Sequence, residues 1–214
     1  MPHLLRRAWN YFHYRFIHAP RGGGKPVPVA TLDEEYRSGH WDHFQSETER
    51  PRYEALLGLI NAHAAGPALL DVGCGSGELA ARLDPVRYRG YLGVDISAEG
   101  LARARARHLP HARFESGNFE TWRPAASFDV IVFNEVVGYA KHPAAVVTAL
   151  ARHLQKRGVL VISLYRWGNY RQIWRRIGQT LSVVEARVVT NERRQVWDLK
   201  VLAPHRPAAP EAAS

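Results

Sequence analysis

Apolar residues gather in four short runs: ALLDV at 68–72, YLGVDI at 91–96, FDVIVF at 128–133 and GVLVISLY at 158–165. None alternates strictly, so each predicts a strand covered on both faces. Between them the apolar spacing turns helical. SETE at 46–49 reads as a capping box, Ser46 capping and Glu49 reaching back, ahead of Tyr53, Leu56, Leu57 and Ile60 on one face. ELAARL at 78–83 reads as helix, and Ser97 is placed to cap a helix that turns Leu101 and Ala104 inward. Pro143 opens another, with Val146, Val147, Leu150 and Leu154 as its buried stripe and Gly158 as its stop after Lys156 and Arg157. Residues 169–179 carry Ile173, Trp174 and Ile177 at helical spacing. SVVEARVVT and QVWDLKVL flank NERR and predict a hairpin. Strands alternating with helices imply an α/β, doubly wound, mostly parallel sheet, to which the hairpin adds a C-terminal antiparallel part. In such sheets ligands sit outside the strand carboxyl ends, here just after Asp71, Asp95, Phe133 and Tyr165.

Composition trims the alternatives. Hydrophobic residues make up 46% and charged residues 23% of the 214, which excludes wholesale disorder. A single cysteine, Cys74, excludes an internal disulfide framework and a zinc site built mainly from thiolates. No metal-ligand spacing is visible among the 11 histidines, so no catalytic metal is expected. Residues 1–30 form a basic-aromatic extension with a Gly/Pro linker (RGGGKPVPV, 21–29), 31–203 the folded domain and 204–214 a loose tail. Arg6, Arg7 and Arg15 break the apolar region a signal peptide would need, so a cytoplasmic protein is expected.

The net charge of +9 raises the question of an anionic partner. Residues 1–25 hold Arg6, Arg7, Arg15, Arg21 and Lys25 with no acid, interleaved with Trp9, Tyr11, Phe12, Tyr14 and Phe16. Packing of this stretch on the domain is the favoured reading. Contact of residues 1–20 with an anionic membrane surface is second and RNA contact third.

The chemistry centres on LLDVGCGSGELAARL (69–83), where Gly73, Gly75 and Gly77 form a bend between strand and helix. Bare backbone lets a ligand approach closely, and the helix start beyond it offers free N–H groups. Asp95 follows Asp71 by 24 residues, at the end of the next strand, where a carboxylate can grip a ribose diol. NAD is the immediate rival. Against it, the third glycine arrives one residue early for a pyrophosphate loop, and Asp71 would repel a pyrophosphate while suiting a cationic amine.

LLDVGCGSGEL, YLGVDIS, SGNFETW, FDVIVFNEVVGY and GVLVISLY, in this order, resemble the successive motifs of class I S-adenosylmethionine-dependent methyltransferases over residues 32–202. LDEEYRSGHWDHF (32–44) further resembles the lead-in of small bacterial members acting near saccharide or secondary-metabolite pathways. The resemblance implies a Rossmann-like seven-stranded sheet, with S-adenosylmethionine as methyl donor and S-adenosylhomocysteine as product. It implies that Asp71 orients the methionine amine, that Gly73, Cys74, Gly75 and Gly77 line the methionine and ribose, and that Asp95 holds the ribose hydroxyls. Ile96 would pack on adenine, Asn118 (where many members carry Asp) and Phe119 would meet its edge, and the Asn134 backbone would approach the methionine part.

Methyl transfer to a hydroxyl needs a base, whereas a neutral amine needs less help. Glu135 and His40 are the candidates, the latter if residues 36–44 fold over the cofactor. Trp41, Tyr139, Tyr165 and Arg166 are candidate acceptor contacts, and Arg166 with Arg171, Arg175 and Arg176 suggests an anionic or sugar-containing small molecule. NEVV stands where methylases of exocyclic base amines typically carry a Pro-Pro-Tyr motif, so a nucleic-acid acceptor is disfavoured. An RNA methyltransferase and a non-catalytic cofactor-binding protein remain the alternatives.

Overall fold

The computed structural model describes residues 13–205. Arg6, Arg7, Trp9, Tyr11 and Phe12 of the basic-aromatic stretch, and 206–214 of the tail, lie outside the described residues. Seven strands, β1 Ala68–Val72, β2 Gly90–Asp95, β3 Ala112–Ser116, β4 Phe128–Asn134, β5 Leu154–Tyr165, β6 Leu181–Thr190 and β7 Val196–Pro204, form one sheet in the order β3-β2-β1-β4-β5-β7-β6. The first five run parallel, while β7 pairs antiparallel with both β5 and β6.

Among the described residues six α-helices accompany the strands: α1 Val29–Arg37, α2 Arg50–His63, α3 Glu78–Arg82, α4 Ala98–Ala106, α5 Pro143–Ala151 and α6 Tyr170–Ile177. Because successive strand residues point to opposite faces, each uninterrupted apolar run feeds two cores at once. Leu70, Val72, Ile131, Phe133, Leu160 and Ile162 pack under α5 and α6 residues such as Val147, Leu150, Ile173 and Ile177. Leu69, Val130, Val132 and Val161 face the other way, against Tyr53, Leu56, Leu59 and Ile60 of α2 and Leu79 of α3. Ser97 caps α4, accepting the Gly100 N–H at 3.0 Å, and Pro143 occupies the first turn of α5. The Asn191–Gln195 turn closes the terminal hairpin.

Three local expectations are corrected. The helix opened by Pro143 ends at Ala151, not near Gly158, and Leu154 already pairs with Phe128 in β5. Gly158 lies inside that strand, at a register shift, where a Cβ would stand 2.9 Å from the Phe128 carbonyl oxygen. It permits a bulge and does not stop a helix. The capping box at Ser46 does not form: Ser46 Oγ donates to the His43 carbonyl at 2.6 Å, and Glu49 turns to Arg52. A single 3-10 turn, Glu47–Glu49, then leads into α2, with Pro51 in its first turn. Edge strand β3 escaped the apolar pattern because ARFES is largely exposed.

The Gly/Pro segment is a strap, not a free connector. Asn169 Nδ2 donates to the Ala19 and Gly23 carbonyls (3.1 and 2.8 Å), Arg176 Nε donates to the Arg21 carbonyl (3.1 Å), and Lys25 N–H donates to the Gly138 carbonyl (2.8 Å). This lays Pro26 and Val27 across the carboxyl end of β4.

Candidate functional site

The glycine bend leaves β1 with Gly73, Gly75 and Gly77 all at positive φ. At Gly73 a Cβ would fall 2.2 Å from Val136 Cγ2, and at Gly75 2.3 Å from the Tyr36 hydroxyl, so the bend needs bare backbone on two sides. Asp71 is buried at its base. Tyr91 donates its hydroxyl to Asp71 Oδ2 at 2.5 Å, while Oδ1 is buried with no partner among the described residues. Burial pushes the Asp71 carboxyl up to about 7; the Tyr91 hydrogen bond opposes the shift and the nearby Asp95 charge adds to it.

Asp95 ends β2 and accepts two backbone N–H groups at 2.8 Å, from Gly75 on Oδ2 and from Ser97 on Oδ1. The two bonds fix the carboxylate plane against the bend. Burial raises its carboxyl, and the two N–H donors pull it back. Asn118 is exposed, and its Oδ1 accepts the Glu120 N–H at 3.0 Å, a local turn that commits part of the oxygen expected for adenine.

Two cavities meet here. The larger, about 170 Å³, is lined at one part by Asp95, Ile96, Asn118 and Phe119. The smaller, about 50 Å³, is lined by Asp71, Gly73, Cys74, Gly75 and Arg52. Tyr36, Trp41, Phe44, Gly73 and Asn134 border both. The structure therefore gathers around one crevice all ten cofactor-contact candidates except Gly77, which starts α3 just behind it. Burial pushes the Cys74 thiol well up, which disfavours a nucleophilic role.

The acceptor candidates divide. Trp41 and Tyr139 line the larger cavity, their rings edge-on at 6.4 Å, and Trp41 stacks on Phe44 at 5.6 Å. Glu135 also lines it, at φ +60°. Its carboxylate accepts the Ser163 hydroxyl on one oxygen and the Tyr165 N–H on the other (3.0 Å). Burial raises its carboxyl, opposed first by the Arg52 charge. His40 is exposed outside the cavity, although residues 40–45 do form a turn over it through Trp41 and Phe44. Tyr165 is a correction: its ring packs on Trp197 at 5.4 Å, and only its backbone reaches the site, through Glu135. Arg166 is another, ion-paired to Asp198 at 2.7 Å and absent from the cavity wall. No Lys, Arg or His among the described residues lines the larger cavity, so the expectation of an anionic acceptor finds no cation there.

Several lining residues were missed, among them Phe44, Arg52 and Tyr36. Arg52, in the first turn of α2, has a side chain 0% exposed. It pairs with Glu49 at 2.6 Å, donates to Asn134 Oδ1 and lies over the Tyr53 ring at 4.5 Å. Its only trace in the sequence is an arginine directly beside the apolar stripe with Glu49 three residues before it. Tyr36 is buried and caps the glycine bend, and burial raises its hydroxyl's pKa. Among the described residues no group of three or more His, Cys, Asp or Glu is arranged to hold a metal ion.

The sheet order, the glycine bend and the paired acids at the ends of β1 and β2 define a class. The chain belongs to the class I S-adenosylmethionine-dependent methyltransferases, within the methyltransferase-domain family whose profile matches residues 41–203. It is similar to a trans-aconitate 2-methyltransferase of an Azoarcus species, 32% identical over 169 residues that cover 76% of this chain and 65% of that protein. It is also similar to an ubiquinone biosynthesis O-methyltransferase of Idiomarina loihiensis, 33% identical over 50% of this chain and 47% of that one. The chain thus spans less than two thirds of the length of these curated relatives. Among solved structures, the N-methyltransferase NodS of Bradyrhizobium japonicum with S-adenosyl-L-homocysteine superposes with a TM-score of 0.71 at 19% identity, covering 83% of this chain and 98% of that one. The cyclase SpnF superposes with a TM-score of 0.68 at 14% identity, covering 85% of this chain and 98% of that one. At these identities the likeness concerns the fold.

Proposed function

We propose that the crevice binds S-adenosylmethionine and that the protein transfers its methyl group to an oxygen or nitrogen of a small-molecule acceptor. The observation that carries this reading is the smaller cavity, which is lined by Asp71, with one carboxylate oxygen unpartnered among the described residues, and by the buried Arg52. Opposite charges on one cavity suit the two ends of an amino acid, and Asp71 would repel a pyrophosphate. Asp71 would take the ammonium and Arg52 the carboxylate of the methionine part. Asp95, already oriented by two N–H groups, would accept the ribose hydroxyls, and Ile96 and Phe119 would flank the adenine.

When bound, the donor supplies a methyl group on a sulfonium, which departs as a neutral thioether. The chain's own contribution is positional. Trp41, Phe44 and Asn134 border both cavities and hold the junction between them. Glu135 lines the same space, and burial raises its carboxyl toward the range useful for taking a proton from an acceptor hydroxyl. Its two fixed hydrogen bonds keep the carboxylate in place, and the β4–β5 pairing supplies both donors. The names of the curated relatives favour oxygen as the methylated atom, and that of NodS favours nitrogen.

Calorimetry with S-adenosylmethionine, S-adenosylhomocysteine and NAD tests the reading. Both adenosyl compounds are expected to bind and NAD is not; no heat from either adenosyl compound would remove it. Glu135→Gln is expected to depress turnover at least tenfold while leaving product affinity within about twofold of the parent protein, the split expected of a proton acceptor.

A further inference from the structure

Resting on the reading above, we infer that the acceptor is a planar, largely apolar molecule that is neutral or cationic, and that polycarboxylates are excluded. The junction of the two cavities is walled by the rings of Trp41 and Phe44, stacked within 14° of parallel, with Tyr139 edge-on to Trp41. Pro26 and Val27 of the strap add an apolar edge. Trp41 and Phe44 stack on each other, so a flat ring would lie against the open side of this aromatic and apolar wall, where it recovers contact area that a small polar acid could not.

The charges point the same way. With Asp95 taken by the ribose, Glu135 and Glu120 are the acids left on the larger cavity, whose wall holds no Lys, Arg or His among the described residues; the Arg52 charge reaches Glu135 only from the smaller cavity. The nearby arginines are spoken for: Arg52, beside Glu49 in the smaller cavity, would be taken by the methionine carboxylate, Arg103 pairs with Asp42 and Arg166 with Asp198. A carboxylate entering this space would lose its water without gaining a cation from the wall and would meet the like charge of Glu135. An ammonium, a phenol or a neutral amine meets neither cost. In the transfer, the acceptor's lone pair forms the new bond to the methyl carbon and the carbon–sulfur electrons return to sulfur. The acceptor's proton passes to Glu135 or to water. The trans-aconitate named for several relatives is a tricarboxylic acid, so this cavity argues that such an acceptor does not carry over to this chain.

The test uses the full chain saturated with S-adenosylhomocysteine and measures binding of four probes: tyramine, para-cresol, para-hydroxyphenylacetate and trans-aconitate. Tyramine and para-cresol are expected to bind, para-hydroxyphenylacetate to bind at least about tenfold more weakly than para-cresol, and trans-aconitate not to bind. The inference is overturned if para-hydroxyphenylacetate equals or exceeds para-cresol, if trans-aconitate binds, or if none of the three ring compounds binds. Any of these leaves the cofactor reading standing as long as the homocysteine product itself binds. Failure of that first step removes the cofactor reading, and this inference with it.

Discussion

Asp71 has two oxygens in unlike circumstances, one held by the Tyr91 hydroxyl and one buried without a partner among the described residues. Its carboxyl is raised from 3.8 to about 7, so the empty folded protein holds a proton that the unfolded chain releases near pH 4. This group's contribution therefore favours folding at low pH and is lost as pH climbs from 3.8 through about 7, at roughly 1.4 kcal/mol per pH unit. An ammonium beside the free oxygen favours the ionised form. Affinity for S-adenosylhomocysteine is accordingly expected to rise with pH up to about 7 and then level off. Calorimetry between pH 5.5 and 8.5 checks this, and in Asp71→Asn the slope should vanish. Asp95→Ala should cost about 1.5–3 kcal/mol of cofactor affinity, as expected for a charge-assisted hydrogen bond. It would also leave the Gly75 and Ser97 N–H groups without their acceptor, so a thermal melt should accompany the titration.

At the scale of elements, the strap from Gly22 to Val27 brings the N-terminal part of the chain to the site. Gly24 passes so close to the loop after β4 that a Cβ would stand 2.3 Å from the carbonyl oxygens of both Gly138 and Ala140. Gly24→Ala is expected to push Pro26 and Val27 off the cavity while sparing the sheet. Weaker product binding with a melting temperature lowered by only a few degrees would bear this out, and parent-like binding would show that the strap is not part of the wall. Arg52 joins α2 to the end of β4 through Asn134. Arg52→Met leaves Glu49 buried without its cation, and the loss is expected to reach about 3–5 kcal/mol in denaturant unfolding.

Elements also show what one-dimensional reading loses. Leu154 fits the periodicity of a helix begun at Pro143, yet it is a strand residue, because the chain must return to pair with Phe128. Local spacing cannot register that demand. The hairpin around Asn191 and the cap at Ser97 were legible because every partner lies within a few residues.

For the whole molecule, a ligand that binds only the folded state stabilises it by mass action. Product at about a hundred times its dissociation constant should add about 2.7 kcal/mol, a rise in melting temperature of roughly 5–10 °C for a chain of this size. NAD at the same concentration should give none. The charge of +9 raised the question of an anionic partner, and within the described residues many arginines are paired with acids, as in Arg37–Glu34, Arg89–Asp129 and Arg103–Asp42.

The succession of β1, β2, β4 and the apolar part of β5, the glycine bend and the acids at the ends of β1 and β2 were legible along the chain. Each depends on residues adjacent in the chain: an apolar run, a bend that tolerates no side chain, a carboxylate at a strand terminus. Tertiary structure alone decided that Arg52 and Tyr36 reach the crevice, that β5 holds the Glu135 carboxylate, and that Arg166 turns away to Asp198. Those outcomes depend on which distant segments the sheet order places side by side, and a charge or a ring in the sequence carries no mark of the partner it will meet.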